Sequence, residues 1–336
     1  MKYFLRIIII ITILEAGVYG YYNHMLNSNN AMATTAPAKA KEVKEVKKVK
    51  PNSYTQLANE KVKLISISEN QKFVASVDEN NKLQITDLDS NQEVYSSTEK
   101  SDIVYLKFIR SDSLFIGIKT ENKDLVLKTI QIGANRERTI KTFTDVSPTS
   151  TFKSITYSPF TNDVYILIGN DVNTKMYHFD TNGQMTALPS QFSYIENPMM
   201  LASKNVLFFE DKHNNIWMSQ DNKSLKKIAE NATLLAVNDD TIYYGSLDQD
   251  GKVVSIHEYK NGEKQDIYQL PTPVLGSRIL INKDGNVFYE KNYTFYDTNL
   301  NKSYPIPKDA SSVFVENHKM FVLTPDKAYI MNDAEK

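Results

Sequence analysis

Five histidines, at positions 24, 178, 213, 257 and 318, are the side chains of this sequence best suited to acid–base or metal chemistry. Their spacing supports neither: no HExxH or HxH pairing sets two imidazoles on one face of a helix or strand. Also missing are a GxSxG elbow, a phosphate-cradling GxxxxGK[ST] loop and a GxGxxG turn. Cysteine is absent, which removes disulfides, thiolate ligands and cysteine nucleophiles. His178 and His257 occupy matching places in two strand-like runs, Met-Tyr-His-Phe and Ser-Ile-His-Glu, and are expected to face solvent. Two turns, Asp248-Gln-Asp250-Gly251 and Asn282-Lys-Asp284-Gly285-Asn286, begin as calcium loops begin, but neither reaches a distal bidentate Glu, and hairpin turns account for both. These residues predict no catalytic set, no cofactor, no metal and no enzymatic activity.

What remains is contact chemistry. The chain holds 20 tyrosines and 15 phenylalanines, more than a binding face needs, and most are expected to fill the space between packed sheets. Irregular connections are better pointers, because loops on a rigid scaffold carry function disproportionately. Arg136 and Arg138 close the stretch from Gly133 to Arg138, Tyr194 lies between Leu188 and Pro198, and Trp217 is the only tryptophan. Those four are the candidate partner contacts.

The elements that must position them repeat along the chain. Short apolar runs, each broken by a polar turn and resumed, start at Lys63, Tyr105, Lys153, Met199, Thr233, Ser277 and Ser311. From the first residue of each second run (Phe73, Leu114, Val164, Val206, Ile242, Val287, Met320) the steps are 41, 50, 42, 36, 45 and 33 residues. This is close to the period of about 40 to 50 residues of a four-stranded propeller blade. Asn261-Gly262 and Asn182-Gly183 supply the positive φ that two-residue hairpins need. The pattern predicts an all-β fold, a seven-bladed β-propeller over residues 53–333, preceded by an N-terminal transmembrane or signal helix. The last unit runs out of chain before its fourth strand, and Ser53 to Leu57 is expected to supply it and close the ring.

Ahead of the ring, residues 1–26 read as a signal anchor: Lys2 and Arg6 precede an isoleucine-rich run, and Tyr19, Tyr21 and Tyr22 form an interfacial belt. Tyr3 to Tyr22 is long enough to span a bilayer core, whereas Ile7 to Leu14 alone suits a cleavable leader, and both readings stay open. Residues 27–52 form an Ala/Lys-rich linker with six lysines between Lys39 and Lys50, a solvated spacer or a basic tether to anionic lipid or wall polymer. Residues 1–50 hold eight Lys/Arg and three Asp/Glu, so totals of 39 and 40 leave 31 basic and 37 acidic groups on the rest. A body with net charge −6 argues against nucleic acid as partner.

Ser158-Pro159-Phe160-Thr161-Asn162, together with the hairpins TIYYGSLDQDGKVVSIHEYKNGEKQDI and NVLFFEDKHNNIWMSQDNKSLKKI, resembles blades of bacterial WD-repeat-like, TolB-like propellers. The Gly-His and Trp-Asp signature of true WD repeats is absent. The resemblance implies a ring used for binding and carries over no catalytic residue. The expected function is a membrane-anchored extracytoplasmic scaffold on a bacterial cell membrane, docking a protein partner of an envelope assembly. A carbohydrate or cell-wall binding module is the alternative, and a channel-mouth hydrolase or lyase the third reading.

Overall fold

The computed structural model describes residues 54–331 apart from 59–60, 159, 180–183, 189–190, 222–223, 300–301, 311, 317–318 and 326. The leader, the linker, the Asn182-Gly183 turn, His24 and His318 lie outside the described residues. Those described form seven four-stranded antiparallel sheets, here blades 1 to 7 in chain order. Their first strands are Val62–Ile67, Asp102–Phe108, Thr151–Tyr157, Ile195–Met200, Ala232–Asn238, Ile279–Ile281 and Ser312–Glu316. In blades 1 to 6 the strands follow one another by simple hairpins. Blade 7 has three strands from the C-terminal end of the chain and takes its fourth, Tyr54–Ala58, from before blade 1, paired antiparallel with Ala328–Met331.

The packing shows why this sequence makes a ring. Second strands such as Val164–Gly169 and Val206–Asp211 are buried on both faces, the latter carrying an apolar run that ends in Glu210 and Asp211. Side chains alternate across a strand, so each such run feeds two neighbours. Leu114, Ile116 and Ile118 pack toward blade 1, while Phe115 packs toward blade 3. Val206 and Phe208 join a cluster with blade 5, and Leu207 and Phe209 one with blade 3. Seven such clusters join each blade to the next, the last uniting Ile67 and Val74 of blade 1 with Phe321 and Ile330 of blade 7. A chain of interfaces that returns to its start is a closed ring. Burial fades outward: the fourth strands Gln92–Thr98 and Arg136–Phe143 are mostly exposed, as sheets splayed about an axis require.

The transmembrane or signal helix expected ahead of the ring falls on residues outside those described. Among the described residues the only helical element is the three-residue 3-10 turn Gly276–Arg278, and no helix there is long and apolar enough to cross a membrane. Solvent-facing histidines are overturned, because third strands are still sandwiched between blades. His178 stacks on Tyr165, its partner in the ladder, with ring centroids 4.7 Å apart. His257 is buried and lies 5.0 Å from Tyr244, again its ladder partner.

Close packing makes one glycine indispensable. A Cβ on Gly117 would sit 2.4 Å from the Phe152 ring and 2.8 Å from Tyr105 Cβ, at the seam of blades 2 and 3. Gly117→Ala is therefore expected to cost about 1–3 kcal/mol through overpacking, read as a lowered denaturant midpoint with an unchanged slope. An unchanged midpoint would show that this seam has slack.

Candidate functional site

First strands of consecutive blades from 1 to 6 touch one another, which places them around the axis. Those of blades 1 to 5 each carry a β-bulge, for example between Ile103 and Tyr105, between Phe152 and Ser154, and between Leu234 and Ala236. A bulge twists a strand sharply and re-aims the side chains beyond it. Beyond the bulges, where first strands turn into second strands, lies a cavity of about 500 Å³. Six of the seven blades line it: Glu69 from blade 1, Lys107 and Phe108 from blade 2, Thr156 and Tyr157 from blade 3, Met200 and Ala202 from blade 4, Asn238 and Asp239 from blade 5, and Lys283 from blade 6.

Hydrogen bonds lace neighbouring blades together around this mouth. Phe108 N donates to Ser66 Oγ at 2.9 Å, and Arg110 Nη2 donates to Asn162 Oδ1 at 2.7 Å. Ser158 Oγ donates to the Ala202 carbonyl at 2.5 Å. Ser203 N and Oγ donate to the Asp240 carboxylate, which holds that acid below the usual carboxylate range. Asn238 Nδ2 donates to the Asn282 carbonyl at 2.5 Å. The lining is thus fixed before any ligand arrives, and a preformed site loses less entropy on binding. Burial pushes the Tyr157 phenol up, against the opposing pull of the Arg110 guanidinium, so Tyr157 presents a neutral hydroxyl. Phe160, 73% exposed, stands on the adjacent turn. Cations, carboxylates, a phenol and apolar rings in one cavity of this size suit a ligand with both charged and apolar groups.

The four residues singled out from sequence are not brought together. Arg136 and Arg138 lie on the exposed outermost strand of blade 2 rather than in a loop, because the left-handed Asn135 completes the turn just before them. Tyr194 precedes the first strand of blade 4, where its hydroxyl donates to Glu196 Oε2 at 3.0 Å and its pKa is pushed up to about 12, chiefly by burial. Trp217 is on the third strand of the same blade, where its Nε1 donates to Asp211 Oδ2 at 2.9 Å and its ring meets Phe192. The mouth residues escaped sequence reading because each sits alone in its own repeat. Their shared signal is position, at the end of a first strand.

The two Asp-Gly turns are occupied by their own backbones. Asp248 Oδ1 accepts from the N–H groups of Asp250 and Lys252, and Asn282 Oδ1 from those of Asp284 and Asn286. Among the described residues no group of three or more His, Cys, Asp or Glu side chains converges to hold a metal ion.

No protein-family model matches this chain, and no curated protein matches it by sequence. Solved structures do match in fold. An oligogalacturonate lyase from Vibrio parahaemolyticus is 12% identical with a TM-score of 0.59, covering 82% of this chain and 92% of its own. The β-propeller domain of the Trilobed protease from Pyrococcus furiosus, described as having an open velcro topology, is 13% identical with a TM-score of 0.59 over 82% and 94%. An oligogalacturonate lyase in complex with manganese is 10% identical with a TM-score of 0.60 over 83% and 93%. At these identities the likeness shows the fold, a β-propeller, as the sequence resemblance implied. It also corrects the expectation that the chain is no enzyme: two of these neighbours are lyases, so the lack of a local motif is no argument against catalysis on such a ring.

Proposed function

We propose that the ring is a docking module of a bacterial envelope assembly, taking a segment of a protein partner into its axial mouth. The observation that carries this reading is the cavity itself, about 500 Å³, lined from six blades and pre-laced by bonds between them. Exposed Phe160 on the rim supports it, since an aromatic standing clear of the surface is a typical protein-contact anchor. Residues 3–22 would seat the chain in the cell membrane, with the ring outside the cytoplasm and residues 27–52 as its spacer.

A photo-crosslinking amino acid at position 160, in cells carrying the full chain, is expected to trap one envelope protein. Lys283→Glu and Tyr157→Ala are each expected to reduce that adduct about tenfold or more, as loss of a contact worth 1–3 kcal/mol does. An adduct insensitive to both substitutions would remove the mouth from the interaction. A second reading, an acidic wall or uronate polymer, is favoured by Lys107 and Lys283 in the lining, by Arg110 beside it, and by the two lyase neighbours. Co-sedimentation with polygalacturonate, lost on Lys283→Glu, would select that reading instead, and release of unsaturated uronate ends would make it a lyase.

A further inference from the structure

Blade 5 holds a second constellation, at the opposite end of its strands from the mouth. His257, on the third strand Val253–Lys260, has both ring nitrogens engaged. Its Nδ1 lies 2.7 Å from Asp266 Oδ1, on the fourth strand Glu263–Val274. Its Nε2 lies 2.7 Å from Ser246 Oγ, on the second strand Thr241–Leu247, and 3.0 Å from Ser255 Oγ. A carboxylate only accepts, so in the neutral imidazole Nδ1 carries the hydrogen and Nε2 presents its lone pair to the serine hydroxyls. The ladder fixes this order, since His257 is directly opposite Tyr244 on one side and Asp266 on the other, with Ser246 and Ser255 opposite each other one step along the same face. The imidazole is buried, Ser246 is half-buried, and the Asp266 side chain is 82% exposed, so the row runs from the blade interior to its rim. The Tyr244 hydroxyl, on the ring tilted against His257, is buried without a hydrogen-bond partner, an O–H donor left over beside the relay.

We infer that Ser246 is a nucleophilic serine, activated by His257 and positioned through Asp266, that takes an acyl group from a small carboxylic ester at the face of blade 5 turned toward blade 4. Nucleophile–base and base–orienter contacts, each 2.7 Å, are the geometry such chemistry requires. Ser246 Oγ bonds to the ester carbonyl carbon as its proton passes to His257 Nε2. The acyl–oxygen bond then breaks, and the departing alkoxide takes that proton and leaves as the alcohol. Water next attacks the acyl-serine, giving a proton to His257, which returns it to Ser246 Oγ as the carboxylic acid is released. Ser255, farther from the same nitrogen, is the lesser partner. This inference does not depend on the reading of the mouth.

The test treats the full chain with a fluorophosphonate probe and, separately, with p-nitrophenyl acetate. Labelling of Ser246 at close to one probe per chain is expected, abolished by Ser246→Ala and lowered at least about 100-fold by His257→Gln, the scale of general-base catalysis. Ser255→Ala should change the rate less than about threefold. Asp266 is an exposed positioning residue, so Asp266→Asn should slow labelling about tenfold at an unchanged melting temperature, and Asp266→Glu should recover part of the loss. Labelling no faster than in the heat-unfolded chain, or unaffected by Ser246→Ala in a variant that melts like the parent, would overturn the assignment.

Discussion

Glu210→Gln is expected to leave stability unchanged near pH 4 and to raise it by about 3 kcal/mol at pH 8. Glu210 is the penultimate residue of the second strand of blade 4, buried and facing blade 5. Its Oε1 accepts from Asn197 Nδ2 at 2.7 Å, Leu234 N at 2.7 Å and Thr233 Oγ1 at 3.1 Å. Burial outweighs these donors, and with Glu196 opposite it in the ladder the carboxyl is pushed up from 4.5 to about 7. In the unfolded chain the proton leaves near 4.5; in the fold it stays until about 7. Between those values the folded state binds more protons, so raising the pH removes stability, and the loss is complete above 7. Glutamine keeps an oxygen for the same three donors and never ionises. Denaturant midpoints of variant and parent should diverge from pH 4.5 to 7 and run parallel above; parallel curves throughout would mean the carboxylate is comfortably solvated.

Removing residues 52–58 should act in the opposite direction and destabilise the ring. The deletion takes Tyr54–Ala58 from blade 7, exposes the backbone edge of Ala328–Met331, and strips Leu57 from the cluster joining blades 7 and 1. Melting is expected to fall by about 10 °C or more, with aggregation through the open edge. A synthetic peptide of residues 52–58, added in trans, should recover part of the loss. A truncated ring that melts like the parent would show that the closing strand contributes nothing.

The architecture was legible because period and alternation are local. Val164–Gly169 announces a buried strand by an unbroken apolar run, and a last repeat short of one strand pointed to Ser53 to Leu57 as its partner, one residue from the observed Tyr54–Ala58. The candidate sites were not legible, because both arise from register. Nothing near Lys107 in the chain points to Tyr157 or Lys283, yet the ring brings the three to one cavity. His257 looked like an outward residue because strand alternation says which residues share a face, not which face a neighbouring blade covers. Its contacts with Ser246 and Asp266 depend on the registers of two ladders, the second shifted between Ile256 and His257. Arg136, Arg138 and Tyr194 were chosen for their place in expected loops and Trp217 for its type, and the fold scatters the four over two blades.

The closing strand also sets how the molecule bears traction. Tyr54 pairs with Met331 and Ala58 with Ala328, so the strand lies alongside the last one over its full length. A pull along its own axis, from the residues before Tyr54, loads these bonds in shear, and they must rupture together. A sideways pull would instead unzip them singly. A tether leaving the ring in line with this strand would hold against tension that one leaving at right angles could not.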